Sequence, residues 1–160
     1  MYKSKLIPIA LVLVILSSLA LWVNTSEATP GSGVTAQPIA SGNLGDAVRA
    51  KFKPETGVVR ADVSNVTLVK YTVAPGGVFG WHQHGGPLWA VVAAGTLTFY
   101  DTTCTGVAYS QGSTFMDPGN HTHNARNEST TEEVVVYVTF MLPKDGVTRI
   151  DVNPAPCNLP

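Results

Sequence analysis

Charged residues are scarce in this chain, and histidine and cysteine are scarcer. Its 160 residues include 10 Lys or Arg and 11 Asp or Glu, which gives a formal net charge of −1 at pH 7. No run of Lys or Arg follows the N-terminus, so the chain lacks the basic surface by which proteins bind nucleic acid. Long helical periodicity is also missing, whereas Val, Thr and Gly are abundant. The composition therefore argues against a nucleic-acid partner and predicts a single all-β domain.

An apolar segment at the N-terminus predicts export. Lys3 and Lys5 precede an apolar run over residues 6–23, and a small-x-small tripeptide ends at Ala28. This order is typical of a secretory signal peptide, here residues 1–28, that is cleaved after Ala28. The apolar run is also long enough to span a bilayer, so an uncleaved transmembrane helix is the alternative. We expect the following domain to be secreted or extracytoplasmic, or else anchored to the membrane by residues 6–23.

The remainder of the chain divides into a linker and one domain. Residues 29–45 are rich in Gly, Ser, Thr and Pro and predict a flexible linker. Residues 46–160 form the predicted domain, which begins with a short helical turn over residues 47–53. Many short apolar strands then follow with turn residues between them, and residues 133–142 are the strongest. This pattern predicts a closed β-barrel or jelly roll.

The two cysteines fit an oxidising compartment. Cys104 lies in a turn-rich segment and Cys157 lies close to the C-terminus, without the C-x-x-C spacing of a redox or zinc motif. One interpretation is a disulfide that holds the C-terminal tail against the barrel. Closing a loop of about fifty residues would stabilise the domain by about 4 kcal/mol in the chain-entropy model. The alternative is two free thiols.

All four histidines lie in two short pairs, His82 with His84 and His121 with His123. Residues i and i+2 of a β-strand point to the same face, so each pair can direct two imidazoles to one place. Imidazole is the most common nitrogen ligand of transition metals in proteins. Two such strands side by side in a small barrel therefore predict a metal site.

Glycine and proline frame both pairs at fixed spacing. The first segment has the pattern G-x5-H-x-H-x3-L-x6-G from Gly76 to Gly95, and the second has G-x5-P-G-N-x2-H-x3-N from Gly112 to Asn127. These patterns resemble the two motifs of the cupin superfamily, and the resemblance covers residues 66–142. It implies a single-domain cupin jelly-roll β-barrel.

The resemblance also implies a ligand set. His82, His84 and His123 match the family's histidine ligands of a divalent transition metal on the inner face of the barrel. Leu88 departs from the family pattern, because it occupies the position of a glutamate ligand and cannot bind a metal. His121 is an additional imidazole with the strand parity of His123, which makes it a possible extra ligand.

Three interpretations of this set remain open. In the first, three histidines bind the metal and leave positions open for water or a ligand. In the second, His121 is a fourth ligand, and in the third the domain has lost its metal and keeps the cavity for small molecules. Three neutral ligands leave the full charge on the metal, which favours a Lewis-acid role or anionic ligands. Iron, manganese, copper, nickel and zinc all fit such a site.

The activity is open as well. A metal-dependent dioxygenase or isomerase acting on a small polar molecule is one possibility, and a binding module without catalysis is the other. Phe115 and Tyr137 are the possible pocket residues. Arg126 is either a contact for an anionic ligand or a surface residue. The resemblance to cupins further implies a homodimer.

Overall fold

The computed structural model describes residues 31–53, 57–153, 155–157 and 159. The predicted signal peptide or anchor over residues 1–28 lies outside the described residues and stays a prediction. Over the part of the chain that is described, no helix has the length and apolarity needed to cross a membrane.

The described residues form ten β-strands, which build a nearly closed barrel. The strands are β1 (Ser32–Phe52), β2 (Val59–Val78), β3 (His82–Gln83), β4 (Leu88–Ala94), β5 (Thr96–Asp101), β6 (Gly106–Ser110), β7 (Thr114–Asp117), β8 (His123–Arg126), β9 (Val134–Leu142) and β10 (Ile150–Asp151). Their order in the sheet is β10-β3-β8-β2-β9-β4-β7, with β1 paired to β2 and with β5 paired to both β6 and β8. Every pair is antiparallel. The prediction of an all-β barrel is confirmed.

The core lies inside the barrel, and alternating burial along β9 and β4 shows which side chains form it. Along β9 every second side chain is buried, and the same period continues on β4, which pairs with it. The buried side chains of these two strands are Leu88, Ala90, Val92, Val134, Val136, Val138, Phe140 and Leu142. Tyr137 has the opposite parity and is 38% exposed on the outer surface. The prediction that Tyr137 lines a pocket is therefore wrong, since its two neighbours in β9 occupy the inner face.

The first strand corrects the predicted linker and domain boundary. Residues 32–52 pair with β2 from Ser32 opposite Val78 to Phe52 opposite Val59, with three register shifts. The linker predicted over residues 29–45 is therefore strand from residue 32 onward, and the predicted helical turn is strand as far as residue 52. Almost every side chain of β1 is exposed, so the sequence carries no alternation of apolar residues. Backbone hydrogen bonds to β2 hold this strand in place, and such bonds do not require a particular pattern of side chains.

The C-terminal residues pack against β3 and the residues next to it. We call residues 148–153 and 155–157 the C-terminal strap. Its strand β10 pairs with β3, and the backbone N–H of Val152 donates to the carbonyl of Trp81 at 3.0 Å. The indole Nε1 of Trp81 in turn donates to the carbonyl of Cys157 at 3.2 Å, and the side chain is 1% exposed. The predicted disulfide between Cys104 and Cys157 is present and fastens the strap to the turn after β5.

Candidate metal centre

Three histidines from two neighbouring strands meet inside the barrel. His82 in β3 lies directly opposite His123 in β8, and His84 follows two residues after His82 on the same face. The ring centroids are 4.3 Å apart for His82 and His123, 4.8 Å for His82 and His84, and 4.9 Å for His84 and His123. All three side chains are buried. The i, i+2 spacing and the strand pairing thus bring together the three residues singled out from the sequence.

Each of the three imidazoles is held by a backbone carbonyl behind it. The Nδ1 atom of His82 lies 2.7 Å from the Gly80 oxygen, that of His84 lies 2.5 Å from the Thr148 oxygen, and that of His123 lies 2.9 Å from the His121 oxygen. A carbonyl oxygen only accepts hydrogen bonds, so each Nδ1 carries the proton and donates it. The Nε2 atom of each neutral ring consequently presents a lone pair, as a metal ligand must.

The distance between two of these lone pairs fits a shared cation. The Nε2 atoms of His84 and His123 are 3.2 Å apart, and neither carries a hydrogen to donate to the other. Two ligand nitrogens at about 2.0–2.1 Å from one tetrahedral zinc ion would be about 3.3 Å apart. One ligand atom from each of the three histidines lies within 4.8 Å of the others. The three residues therefore fit a transition metal.

Burial keeps the three rings neutral. It is the largest cause that lowers the pKa of His82 to about 2, and the neighbouring His123 and His84 lower it further. Burial likewise lowers the pKa of His84 to about 4 and that of His123 to about 3. Metal binding requires the unprotonated imidazole, so the site is ready to bind a cation at neutral pH without first releasing protons.

A tight turn places the second histidine strand against the first. Gly119 has a φ of 110°, and a Cβ added there would lie 2.7 Å from the carbonyl carbon of Gly86. Only glycine adopts this backbone conformation easily and allows that approach. The carbonyl of Gly119 accepts a hydrogen bond of 2.8 Å from the backbone N–H of His84. Gly119 and Gly86 thus allow the two histidine segments to approach closely.

A buried carboxylate lies next to the centre and was not expected there from the sequence. Asp117 ends β7 and is 1% exposed, and its Oδ1 accepts a hydrogen bond of 2.7 Å from the backbone N–H of Gly119. Its Oδ2 lies 3.4 Å from Nδ1 of His123 and makes no hydrogen bond among the described residues. Burial raises the pKa of Asp117 above its ordinary value. Strand parity with Phe115, which was singled out, was the available signal that Asp117 also faces inward.

Asp117 lies beside Leu88, the position at which the family pattern has a glutamate ligand. Leu88 is 3% exposed, and Asp117 lies directly opposite it on the paired strand β7. Side chains of opposite residues in an antiparallel pair lie on the same face. A carboxylate is thus present beside the position that Leu88 occupies, but its free oxygen lies behind His123, near Nδ1.

His121 lies at the edge of the cluster. Its Nδ1 atom is 3.5 Å from Oδ2 of Asp117, and 42% of its side chain is exposed. Among the described residues, the potential ligand atoms near His121 belong to Asp117 and His123, whereas His82 and His84 form a group with His123 that does not include His121. The ring stacks over Phe99 at a centroid distance of 6.4 Å. The structure therefore keeps His121 apart from the Nε2 atoms of the other three.

A cavity of about 380 Å³ is lined by the three histidines. Phe115, singled out from the sequence, lines it, whereas Tyr137 does not. Three aromatic residues that were not singled out as pocket residues also line it: Tyr71, Phe79 and Phe99. Phe99 stacks on His123 at 4.6 Å between ring centroids. Cavities of this size with mostly apolar walls are typical small-molecule sites.

Comparison with known proteins agrees with this geometry. Residues 69–140 match the family model described as a cupin domain. No curated protein matches the chain. Both histidine segments thus lie within the residues that match the family model.

The likeness to solved structures concerns the fold. The polyketide cyclase RemF from Streptomyces resistomycificus is 12% identical, with 79% of this chain and 76% of that chain covered and a TM-score of 0.56. A cupin domain from Bordetella pertussis Tohama I is 22% identical, covering 61% of this chain and 95% of that one, with a TM-score of 0.44. A cupin-like protein from Thermotoga maritima MSB8 is 18% identical with a TM-score of 0.49. The match to it covers 54% of this chain and 64% of that one.

Proposed function

We propose that this chain is an exported member of the cupin superfamily that binds one divalent transition metal and a small molecule beside it. His82, His84 and His123 would hold the metal through their Nε2 atoms. The observation that carries the proposal is the 3.2 Å approach of two Nε2 lone pairs, from His84 and His123, inside a buried site. Iron, manganese, copper, nickel and zinc all suit three imidazoles.

The chain's own groups prepare this site. Carbonyl groups behind the rings set the tautomer and the orientation of each imidazole, and burial keeps the rings unprotonated. A bound divalent ion would supply Lewis acidity at the inner end of the cavity. The apolar walls would exclude water from a bound molecule, which strengthens electrostatic interactions there.

Catalysis by a metal-dependent dioxygenase or isomerase is the second candidate function. The observation that favours it is Asp117, a buried carboxylate that lines the same cavity and has one oxygen without a hydrogen-bond partner among the described residues. Titratable groups with perturbed pKa values in cavities are frequent general acids or bases. The remaining alternative is a cupin that binds small molecules without a metal. In that case the Nε2 lone pairs of His84 and His123 would face each other with no cation between them.

Export is part of the proposal and is supported by the disulfide. Disulfides persist in oxidising compartments and are rare in reducing ones. Residues 6–23 would then act as the signal peptide core, or as a membrane anchor if they are not removed. A homodimer is a further proposal that rests on the family alone, and sedimentation analysis tests it.

The test is elemental analysis of the exported protein, purified without a polyhistidine tag or chelator. We expect about one equivalent of a transition metal per chain, which His82→Ala and His123→Ala lose and His121→Ala keeps. Sequencing the N-terminus of the same sample should find Thr29 first. A full-length chain in the membrane fraction would support the anchor instead.

Two results would contradict the metal site. If His121→Ala loses metal as completely as His82→Ala, the set of three ligands is wrong. If the wild-type protein takes up none of the five metals on reloading, the metal-free binding protein is the correct interpretation.

A further inference from the structure

One cationic side chain lines the cavity together with the three histidines. Arg149, in the C-terminal strap, contributes to the cavity wall, and its side chain is 35% exposed. Its Nε donates to Oδ1 of Asp151 at 2.6 Å, while the Nη groups carry the remaining donors of the guanidinium. Arg149 directly follows Thr148, whose carbonyl accepts from Nδ1 of His84, and it precedes β10, in which Asp151 lies opposite His82, so the backbone on both sides of Arg149 lies against the centre. Arg126, by contrast, lies outside the cavity and pairs with Glu128.

The charges around the cavity do not balance once a metal is bound. Three neutral imidazoles leave the whole charge of a divalent ion uncompensated, and Leu88 offers no carboxylate. Asp151 offsets Arg149, and the free oxygen of Asp117 faces the rear nitrogen of His123. An uncompensated charge in an apolar cavity is costly, so the ligand is the partner that must bring negative charge.

The walls of the cavity favour a flat molecule. The rings of Tyr71 and Phe79 meet edge to face at 5.3 Å, and Phe79 stacks on His82 at 6.1 Å. Across the cluster, Phe99 packs against Phe115 at 5.5 Å. Aromatic rings bind planar partners by offset stacking or edge-to-face contact. The polar groups are few and lie near the histidines and the strap.

We propose that the cavity binds a planar, largely apolar organic anion whose charged oxygen group lies between the histidine centre and Arg149. The inference rests on the proposed function, because the histidines attract an anion only when they hold a metal. It assigns Arg149 as the residue that selects the charge of the ligand and Phe79 as one that selects its shape.

The test measures binding of three probes to the full chain loaded with cobalt(II), whose visible absorption reports a change in coordination. The probes are 2-naphthoate, its neutral analogue 2-naphthamide, and octanoate as a flexible anion. Calorimetry gives the affinities, and elemental analysis gives the metal content of each sample. We expect 2-naphthoate to bind most tightly and to alter the cobalt spectrum.

Two pairs of variants separate charge from shape. Arg149→Gln should weaken 2-naphthoate binding by about tenfold or more and leave 2-naphthamide unchanged, because a charge-assisted pair is lost. Lys144→Gln removes the same charge from an exposed position and should change neither affinity. Phe79→Leu should weaken 2-naphthoate by about fivefold, whereas Tyr137→Leu, on the outer surface, should not.

The outcomes distinguish this inference from the proposed function. A chain that takes up no metal overturns both. A chain that holds metal but binds 2-naphthamide or octanoate as tightly as 2-naphthoate overturns only the ligand class. Equal effects of Arg149→Gln and Lys144→Gln would overturn the role of Arg149, and Arg149→Lys, which keeps the charge, checks that a loss is not caused by unfolding.

Discussion

Asp117 occupies an unusual position for a buried carboxylate, since one of its oxygens has no hydrogen-bond partner among the described residues. That oxygen faces Nδ1 of His123 at 3.4 Å and Nδ1 of His121 at 3.5 Å. A carboxylate behind a ligand histidine fixes the ring orientation and raises its basicity. In the proposed metal site Asp117 would therefore support His123, and it would not replace the glutamate ligand that the family pattern has at the position of Leu88.

We expect the single substitution Asp117→Asn to lower the affinity for metal by about tenfold. The amide keeps an oxygen for the N–H of Gly119 but turns an NH2 group toward the protonated Nδ1 of His123, so donor faces donor. Competition with a chelator measures the affinity, and Asp62→Asn, an exposed carboxylate, is the control. Unchanged metal affinity in Asp117→Asn would show that the carboxylate plays no part in holding His123.

The sequence can indicate which residues face the site where the evidence is local, as strand alternation and motif spacing are. His82, His84 and His123 follow from these, and Asp117 follows from its parity with Phe115. Arg149 does not, because its place in the cavity depends on β10 pairing with β3 across more than sixty residues of sequence. Tyr137 was misplaced because the continuous apolar run of β9 conceals which side chains face inward.

The C-terminal strap is an element that joins the stability of the barrel to the geometry of the metal centre. The carbonyl of Thr148 accepts from His84, and β10 pairs with the strand that carries His82. The disulfide between Cys104 and Cys157, 53 residues apart, holds the strap in place. Loosening the strap should therefore affect ligand orientation as well as folding.

We expect the double variant Cys104→Ser, Cys157→Ser to lower the free energy of unfolding by about 4 kcal/mol in the chain-entropy model. It should also weaken metal binding, because His84 loses a fixed acceptor. Urea unfolding of the metal-free protein and chelator competition measure the two effects separately. Lower stability with unaltered metal affinity would show that β10 alone keeps the strap in place.

A strand with one buried face could be predicted from the sequence, whereas a strand with no buried face could not. Residues 133–142, expected from the sequence to be the strongest strand, form β9 (Val134–Leu142), where every second side chain is buried. The strand β1 was missed because its side chains are nearly all exposed, and its Gly, Ser and Pro content is that of a linker. Its pairing with β2 is a property of the assembled sheet, which local sequence cannot report.

The molecule as a whole carries three buried imidazoles that are neutral in the folded state. Their folded pKa values of about 2, 4 and 3 lie below the ordinary value of 6.5. The unfolded chain therefore binds more protons than the folded chain once the pH falls below 6.5. The resulting stability is complete above that pH and decreases as the pH falls toward the folded values.

We expect the metal-free protein to lose about 1.4 kcal/mol of stability per histidine for each pH unit between about 6 and 5. Chemical denaturation at several pH values measures this slope. A variant with asparagine at 82, 84 and 123 should have a much shallower slope in the same interval. Equal slopes would mean that these three imidazoles titrate alike in the folded and unfolded states.

The contact between His84 and Thr148 implies that the site is completed late in folding. The two residues are 64 positions apart, so the last acceptor of the centre arrives only when the chain closes a long loop. Until that loop closes, the imidazole of His84 has no Thr148 carbonyl to orient it. If the proposed site binds a metal, its choice among metals would then depend on the completed barrel and not on the nascent chain.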